Sequence, residues 1–265
     1  MKGKKEDIKI VFTDIDGTLL SHSSGKVPAS AIEAIHRLQA KGIKVFFCSG
    51  RNYYLIRKSG LLNMIRPDGL ITMNGSNAII DGNIIYRYPI PEEIVDKMVL
   101  FSKKLKFGLT LIEENEGHIN MIDDRVISAH EKYGTRFPQP RHFPDHYDRV
   151  VYQMIAFCDE FEESLFLPHL GVCKSARWDE FAVDIMLEDS DKSKGIENVL
   201  NYYGYEAKNA MALGDGLNDI EMLEFAGIGV CMGNGNPETK KHADYVTTDI
   251  DDDGWYNACK HFELI

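Results

Sequence analysis

Apolar residues in the first part of the chain come in short blocks, each followed at once by polar ones. Ile8-Lys9-Ile10-Val11-Phe12-Thr13, Lys44-Val45-Phe46-Phe47-Cys48 and Gly69-Leu70-Ile71-Thr72-Met73 have the length and the β-branched or aromatic content of buried strands. Between the first two, residues 28–41 set Ile32, Ile35 and Leu38 at helical spacing and stop at Gly42, a residue that readily closes a helix. A second helical pattern separates the other two. Strand, helix, strand, helix, strand predicts a parallel sheet with helices on both faces. The polar residues that follow the blocks would lie at the carboxyl ends of the strands, where open α/β sheets bind ligands.

From about residue 83 the rhythm changes. Residues 94–105 read as a helix, and 109–112 with 118–122, joined through Glu116-Gly117, as a hairpin. Residues 138–144, with three prolines, read as a loop. A strand over 150–157, a helix over 161–167 and strands near 172–176 and 182–187 follow, which predicts a small α+β unit with an antiparallel sheet. The alternation returns from Lys192, with a helix over 196–203, a strand over 210–213, a helix after Leu217 and a strand over 228–230. The predicted fold class is therefore α/β, with a parallel-sheet core (residues 1–83 and 189–265) interrupted by an inserted α+β domain (residues 84–188). The insertion is of ordinary domain size.

Composition narrows the function classes. Apolar content of 44% and charged content of 27% are those of a soluble globular protein. No apolar stretch approaches the ~20 residues of a membrane helix. The start, Met-Lys-Gly-Lys-Lys-Glu-Asp, has no signal-peptide pattern. Five scattered cysteines without a Cys-x-x-Cys pair argue against a disulfide framework or a zinc site and for the cytoplasm. A net charge of −11 disfavours nucleic acid and anionic membrane as partners. It also opposes long-range capture of a phosphate ester, so a phosphate binder here must rely on a metal ion, a lysine and backbone amides.

Those parts are present. Asp14 and Asp16 follow the first strand block and precede Gly17-Thr18-Leu19. Two carboxylates at the end of a buried strand are costly unless something cationic joins them. Three further segments could converge on them: Ser49-Gly50-Arg51, Lys194-Gly195, and Gly214-Asp215-Gly216-Leu217-Asn218-Asp219. Carboxylate oxygens, water and phosphate suit Mg²⁺. A lysine, a hydroxyl and amides can hold the equatorial oxygens of a phosphoryl group in transfer. Lys194 at a helix start opposes the helix dipole, which points to a buried anion beside it.

These segments resemble the signature of the haloacid dehalogenase superfamily, and their order and spacing look like its Cof-type sugar phosphatases. Asp-x-Asp-Gly-Thr-Leu, Ser-Gly-Arg, Asn-Gly, Lys-Gly and Gly-Asp-Gly-x-Asn-Asp-x-x-Met-Leu occur in family order, followed by Met232-Gly233-Asn234, Lys240 and Ala243-Asp244-Tyr245-Val246. The resemblance implies a Rossmann-like core and an inserted cap that closes to exclude water and set specificity. It implies Asp14 as nucleophile and Asp16 as general acid/base, with the Asp16 carbonyl on Mg²⁺. Thr18 would position its loop. Thr18, Ser49, Gly50, Arg51, Lys194 and Asn218 would hold the phosphoryl group, and Asp14, Asp16, Asp215 and Asp219 would form the metal site. Ser49 stands where many relatives have Thr, and Gly216 where Asn is common.

The expected activity is Mg²⁺-dependent hydrolysis of small phosphorylated metabolites, chiefly sugar phosphates, through an aspartyl phosphate. The rivals are a hexose phosphomutase and a non-catalytic sugar-phosphate sensor. Only Gly216 and Leu217 separate Gly-Asp from Asn-Asp, fewer than in the phosphomannomutases. In the insertion, Glu113, Glu114, Asn115, His118, Arg177, Trp178 and Glu180 lie near predicted strand ends, though surface roles suit each of them singly. His142 and His146 flank Pro144 and do not suggest a metal pair. Cys48 is expected to be an inert buried thiol, and residues 249–253 a solvated acidic turn or helix start.

Overall fold

The computed structural model describes residues 7–133 and 136–265. The expectation of no leader at the start falls on residues 1–6, outside that range. Five strands precede the insertion: β1 (Ile10–Thr13), β2 (Lys44–Cys48), β3 (Gly69–Thr72), β4 (Asn77–Ile80) and β5 (Asn83–Arg87). The inserted region carries β6 (Gly108–Ile112), β7 (Gly117–Ile119), β8 (Gln139–Pro140), β9 (Gln153–Phe157), β10 (Cys173–Asp179) and β11 (Ala182–Leu187). Three more follow: β12 (Ala210–Gly214), β13 (Ile228–Cys231) and β14 (Tyr245–Val246).

The larger unit contains the residues through Arg51 together with Leu55–Arg87 and Asp191–Ile265. Its eight strands run β14-β13-β12-β1-β2-β3-β4-β5. The first six in that order pair in parallel, and β4 and β5 turn back antiparallel. β1, fully buried, lies between β12 and β2, so successive connections leave it in opposite directions. That arrangement collects the loops after β1, β2, β3 and β12 at one end of the sheet. The core behind them is built from Ile10, Phe12, Phe46, Ile71, Ala212 and neighbours, packed against Ile196, Val199 and Leu200 of the helix Lys192–Tyr203.

The smaller unit comprises Asn52–Tyr54 and Tyr88–Ser190. Its sheet runs β10-β11-β9-β6-β7-β8, antiparallel except for the β7–β8 pairing. The helix Glu92–Leu105 presents Ile94, Val95, Met98 and Val99 to a core that includes Leu109, Leu111 and Met154. The sequence puts the junctions at 83/84 and 188/189. The units instead divide after Arg87 and after Ser190, because β5 pairs with β4 and stays in the larger sheet. Among the described residues, no helix is long and apolar enough to cross a membrane.

Candidate active site

Asp14 is the first residue beyond β1, and its amide donates to the Leu213 carbonyl at 2.9 Å, which extends the β1–β12 ladder to the carboxylate itself. Asp215 follows the end of β12. Asp219 Oδ2 accepts the amides of Asp215 (2.8 Å) and Gly216 (2.9 Å), which closes that loop on its own backbone. Thr18 Oγ1 donates to Asp215 Oδ1 at 2.7 Å. The intervening Gly17 has φ +88° and lies so close to the Asp215 carboxylate that a side chain there would collide with it.

One cation joins these carboxylates. Lys192 Nζ donates to Asp14 Oδ1 at 2.5 Å and to Asp219 Oδ1 at 2.6 Å, and its side chain is 0% exposed. Lys194, the lysine expected in this place, is on the surface with its ammonium 3.7 Å from Glu197. The cause is the register of the helix. It begins at Lys192, after Asp191 as N-cap, and buries Lys192, Gly195, Ile196, Val199 and Leu200 along one stripe. Lys194 falls between the turns of that stripe; its amide, at 3.2 Å from Asp191 Oδ1, serves only the cap. Gly75, at φ +94°, lets the turn after β3 rest against the Asp191 carbonyl and fixes the helix start.

The electrostatics show what the cluster lacks. Burial drives the Asp14 carboxyl well above the ordinary range; Lys192 pulls it down, while Asp219 and Asp215 push it up. Burial alone would lower Lys192, but Asp14 and Asp219 more than offset it and hold the ammonium protonated. Asp215 is also raised, first by burial, against its bond from Thr18. Three carboxylates against one ammonium leave an excess of negative charge. Asp14, Asp215 and Asp219 each offer an oxygen, and these atoms lie within 4.8 Å of one another. An all-oxygen anionic set of this kind fits a hard divalent cation such as Mg²⁺.

The loop after β2 meets this cluster through Asp16. Arg51 Nε donates to Asp16 Oδ2 at 2.8 Å and Nη2 to Oδ1 at 2.5 Å, a two-pronged grip on the carboxylate. Arg51, expected on the phosphoryl group, is thus occupied with Asp16, and Thr18, placed in the same group, holds Asp215. Ser49 is buried, and its Oγ accepts the Arg51 amide at 3.1 Å. Asn218 Nδ2 donates to Asn74 Oδ1 at 3.1 Å, and the Asn74 amide donates to the Ser49 carbonyl, which ties three of the loops together. The sequence reading missed Lys192 as the buried lysine and, though it noted their motifs, gave no role to Asn74 or to Asn234. Its Nδ2 donates to the Gly17 carbonyl at 2.7 Å while its Oδ1 accepts the Ile250 amide, bracing the Asp-Gly turn.

In the smaller unit, Glu113 accepts from Tyr147 Oη and lies 2.6 Å from Arg149 Nη2, and Glu116 also receives Arg149. Glu113, Glu116 and His118 could hold a metal by residue type, but Arg149 and Arg141 already neutralise the carboxylates. Arg177 is an internal strut between Glu163 and the carbonyls of Cys158 and Glu180. Trp178 donates to Asp184. His146 pairs with Glu92 and Asp96 rather than with His142, and Cys48 is a buried thiol pushed up by burial. Asp249 caps the turn Ile250–Asp252, the solvated acidic turn expected there.

Residues 11–258 match the family model described as haloacid dehalogenase-like hydrolase. The Bacillus subtilis protein YkrA, which carries a provisional phosphatase name, is 29% identical over 262 residues, covering 98% of this chain and 99% of that one. Two solved structures share the architecture. The phosphatase BT1666 from Bacteroides thetaiotaomicron has a TM-score of 0.88 and 30% identity, covering 97% of this chain and 96% of that one. BT4131, described as a subclass IIB sugar phosphatase, has a TM-score of 0.81 and 35% identity, covering 97% of this chain and all of that one. With the two-domain α/β architecture and the Asp14–Lys192–Asp215–Asp219 cluster, this establishes that the chain belongs to the haloacid dehalogenase-like hydrolases and is a phosphatase.

Proposed function

We propose that the protein hydrolyses small phosphorylated metabolites, sugar phosphates foremost, in a Mg²⁺-dependent reaction through an aspartyl phosphate on Asp14. The observation that carries this reading is the buried Asp14 carboxylate paired with Lys192 beside two further carboxylates. An oxygen of Asp14 attacks phosphorus while the ester oxygen leaves with a proton from Asp16. Asp16 then takes a proton from water as that water attacks the acyl phosphate, which releases inorganic phosphate and restores Asp14. Arg51 orients Asp16 for both transfers, and Lys192 holds Asp14 and faces the charge on the phosphoryl oxygens. Asp14, Asp215 and Asp219, with the Asp16 carbonyl, would hold Mg²⁺, which supplies further neutralisation of the nucleophile and phosphoryl group. Ser49 and Asn218 would contact the phosphoryl oxygens.

The sugar preference is supported by the likeness to BT4131, and the cytoplasmic setting by five buried, unpaired cysteines. A panel of phosphorylated sugars, nucleotides and cofactors, assayed for phosphate release with and without chelator, tests the reading. Chelation should abolish turnover reversibly. Acid quench should trap a phosphoenzyme in the wild type and none in Asp14→Asn. Substantial phosphate release by Asp14→Asn would sink the mechanism.

A further inference from the structure

The loop that carries Asp215 and Asp219 is held from two sides, all within the larger unit. On one side Asp219 Oδ2 takes the amides of Asp215 and Gly216. On the other, three successive carbonyls are taken by the segment that follows β13. The Met232 amide donates to the Gly214 carbonyl at 2.9 Å and the Asn236 amide to the Asp215 carbonyl at 2.8 Å. The third donor is a side chain: Thr239 Oγ1 donates to the Gly216 carbonyl at 2.9 Å.

The local sequence sets this row of donors. Asn236 is the N-cap of the short helix Pro237–Lys241, and its Oδ1 accepts the Glu238 amide at 2.9 Å. The side chain of Asn236 thus serves the helix, and its own amide is left for the loop. Thr239 follows three residues later, a spacing that returns it to the same side of the turn and sets it against the next carbonyl. A helical threonine often gives its hydroxyl to the carbonyl four residues back. Thr239 instead reaches a residue 23 positions away, and it is fully buried. Gly216 has no side chain by which the loop could be anchored. Its carbonyl has a second donor in the Asp219 amide at 3.1 Å, so the loop stays closed without Thr239 and the hydroxyl governs how its peptide is turned. That peptide is bonded directly to its neighbour, whose peptide carries Asp215.

We propose that Thr239 is a positioning residue for the metal-binding loop: its hydroxyl fixes the Gly216 peptide and thereby the direction in which Asp215 presents its carboxylate to Mg²⁺. The proposal rests on the Mg²⁺ reading of the site and deepens it by naming a residue, remote from the acidic motif in sequence, on which the affinity depends.

Thr239→Val keeps the shape of the side chain and removes the donor, while Thr239→Ser keeps the donor. Calorimetric titration of the substrate-free protein with magnesium chloride should give a Kd about tenfold higher in Thr239→Val and within about twofold of the wild type in Thr239→Ser. Half-saturation of phosphate release by Mg²⁺ should rise by the same factor in Thr239→Val. An unchanged Kd in Thr239→Val, or Thr239→Ser binding as weakly as Thr239→Val, would overturn the proposal. A second measurement needs no metal. Amide hydrogen exchange in the metal-free protein should be about tenfold faster at Asp215, Gly216 and Asp219 in Thr239→Val and unchanged along β1. No acceleration in the loop, or an equal one along β1, would also overturn it. Should the wild type bind no Mg²⁺, the Mg²⁺ reading falls while amide exchange still decides the role of Thr239.

Discussion

Each unit shields a carboxylate, Asp14 almost fully and Asp184 in part, and they stabilise it by opposite means. Asp14 lies against the fully buried ammonium of Lys192 in a cluster with Asp215 and Asp219. Asp184 has only an indole N–H and a carboxamide for company. The first arrangement is built around charge and suits more of it, such as a divalent cation. The second is neutral apart from the carboxylate, and suits a neutral partner. The larger unit thus has the features of a place where bonds are made and broken, and Asp184 of the smaller unit lacks that excess of charge.

The comparison breaks most readily at Lys192. Lys192→Met leaves Asp14 and Asp219 buried without their counter-ion, and removing one partner of a buried ion pair costs about 3–5 kcal/mol. Phosphate release should fall at least about a thousandfold. Lys194→Met, on the exposed face of the same helix, should change stability by less than about 0.5 kcal/mol. Urea unfolding and a phosphate assay on both variants check this. A larger loss at Lys194 than at Lys192 would reject the assignment.

Asp184 sharpens the contrast through pH. Its carboxyl titrates at about 6 in the folded chain against an ordinary value of 3.8. Between those values the folded state holds more protons than the unfolded, so this residue's contribution falls as pH rises and is lowest above pH 6. Asp184→Asn should therefore stabilise the protein modestly at pH 7.5, since solvent at the partly exposed carboxylate screens the effect, and by little at pH 4. Equal effects at both pH values would remove the buried charge from the account.

The two sites were unequally legible in the sequence. Asp14, Asp16, Ser49, Asp215 and Asp219 are short-range features: each sits in a strand-to-loop segment whose neighbours define it, and the strand order then brings the loops together. Lys192 depends on helix register. Two lysines two residues apart look alike until the stripe of Gly195, Ile196, Val199 and Leu200 is extended backwards, which selects Lys192 by helical spacing. The junction after Arg87 also had its signal in Asp81-Gly82, both at positive φ in a tight turn between β4 and β5. Asp184 had none. In Ala-Val-Asp-Ile-Met-Leu it reads as an outward-facing polar residue, and its partial burial comes from the Trp178 ring on the adjoining β10 and from Gln153 on the more distant β9.

The mildest expected effect lies one bond removed from the charge cluster. Thr18 Oγ1 touches neither Asp14 nor Lys192 but donates to Asp215 Oδ1 at 2.7 Å, which leaves the other Asp215 oxygen oriented for a cation. Thr18→Val keeps the side-chain shape and removes that donor. Groups that orient a metal's ligands typically contribute ten- to a hundredfold in metal affinity, so half-saturation by Mg²⁺ should rise by about that factor. At saturating Mg²⁺, turnover should recover most of the wild-type rate, because Asp14, Asp16 and Lys192 remain in place. Titrating phosphate release against Mg²⁺ separates the two quantities. An unchanged half-saturation with a lowered plateau would move Thr18 from the metal to the phosphoryl group, the role suggested by its motif but not by its hydrogen bond.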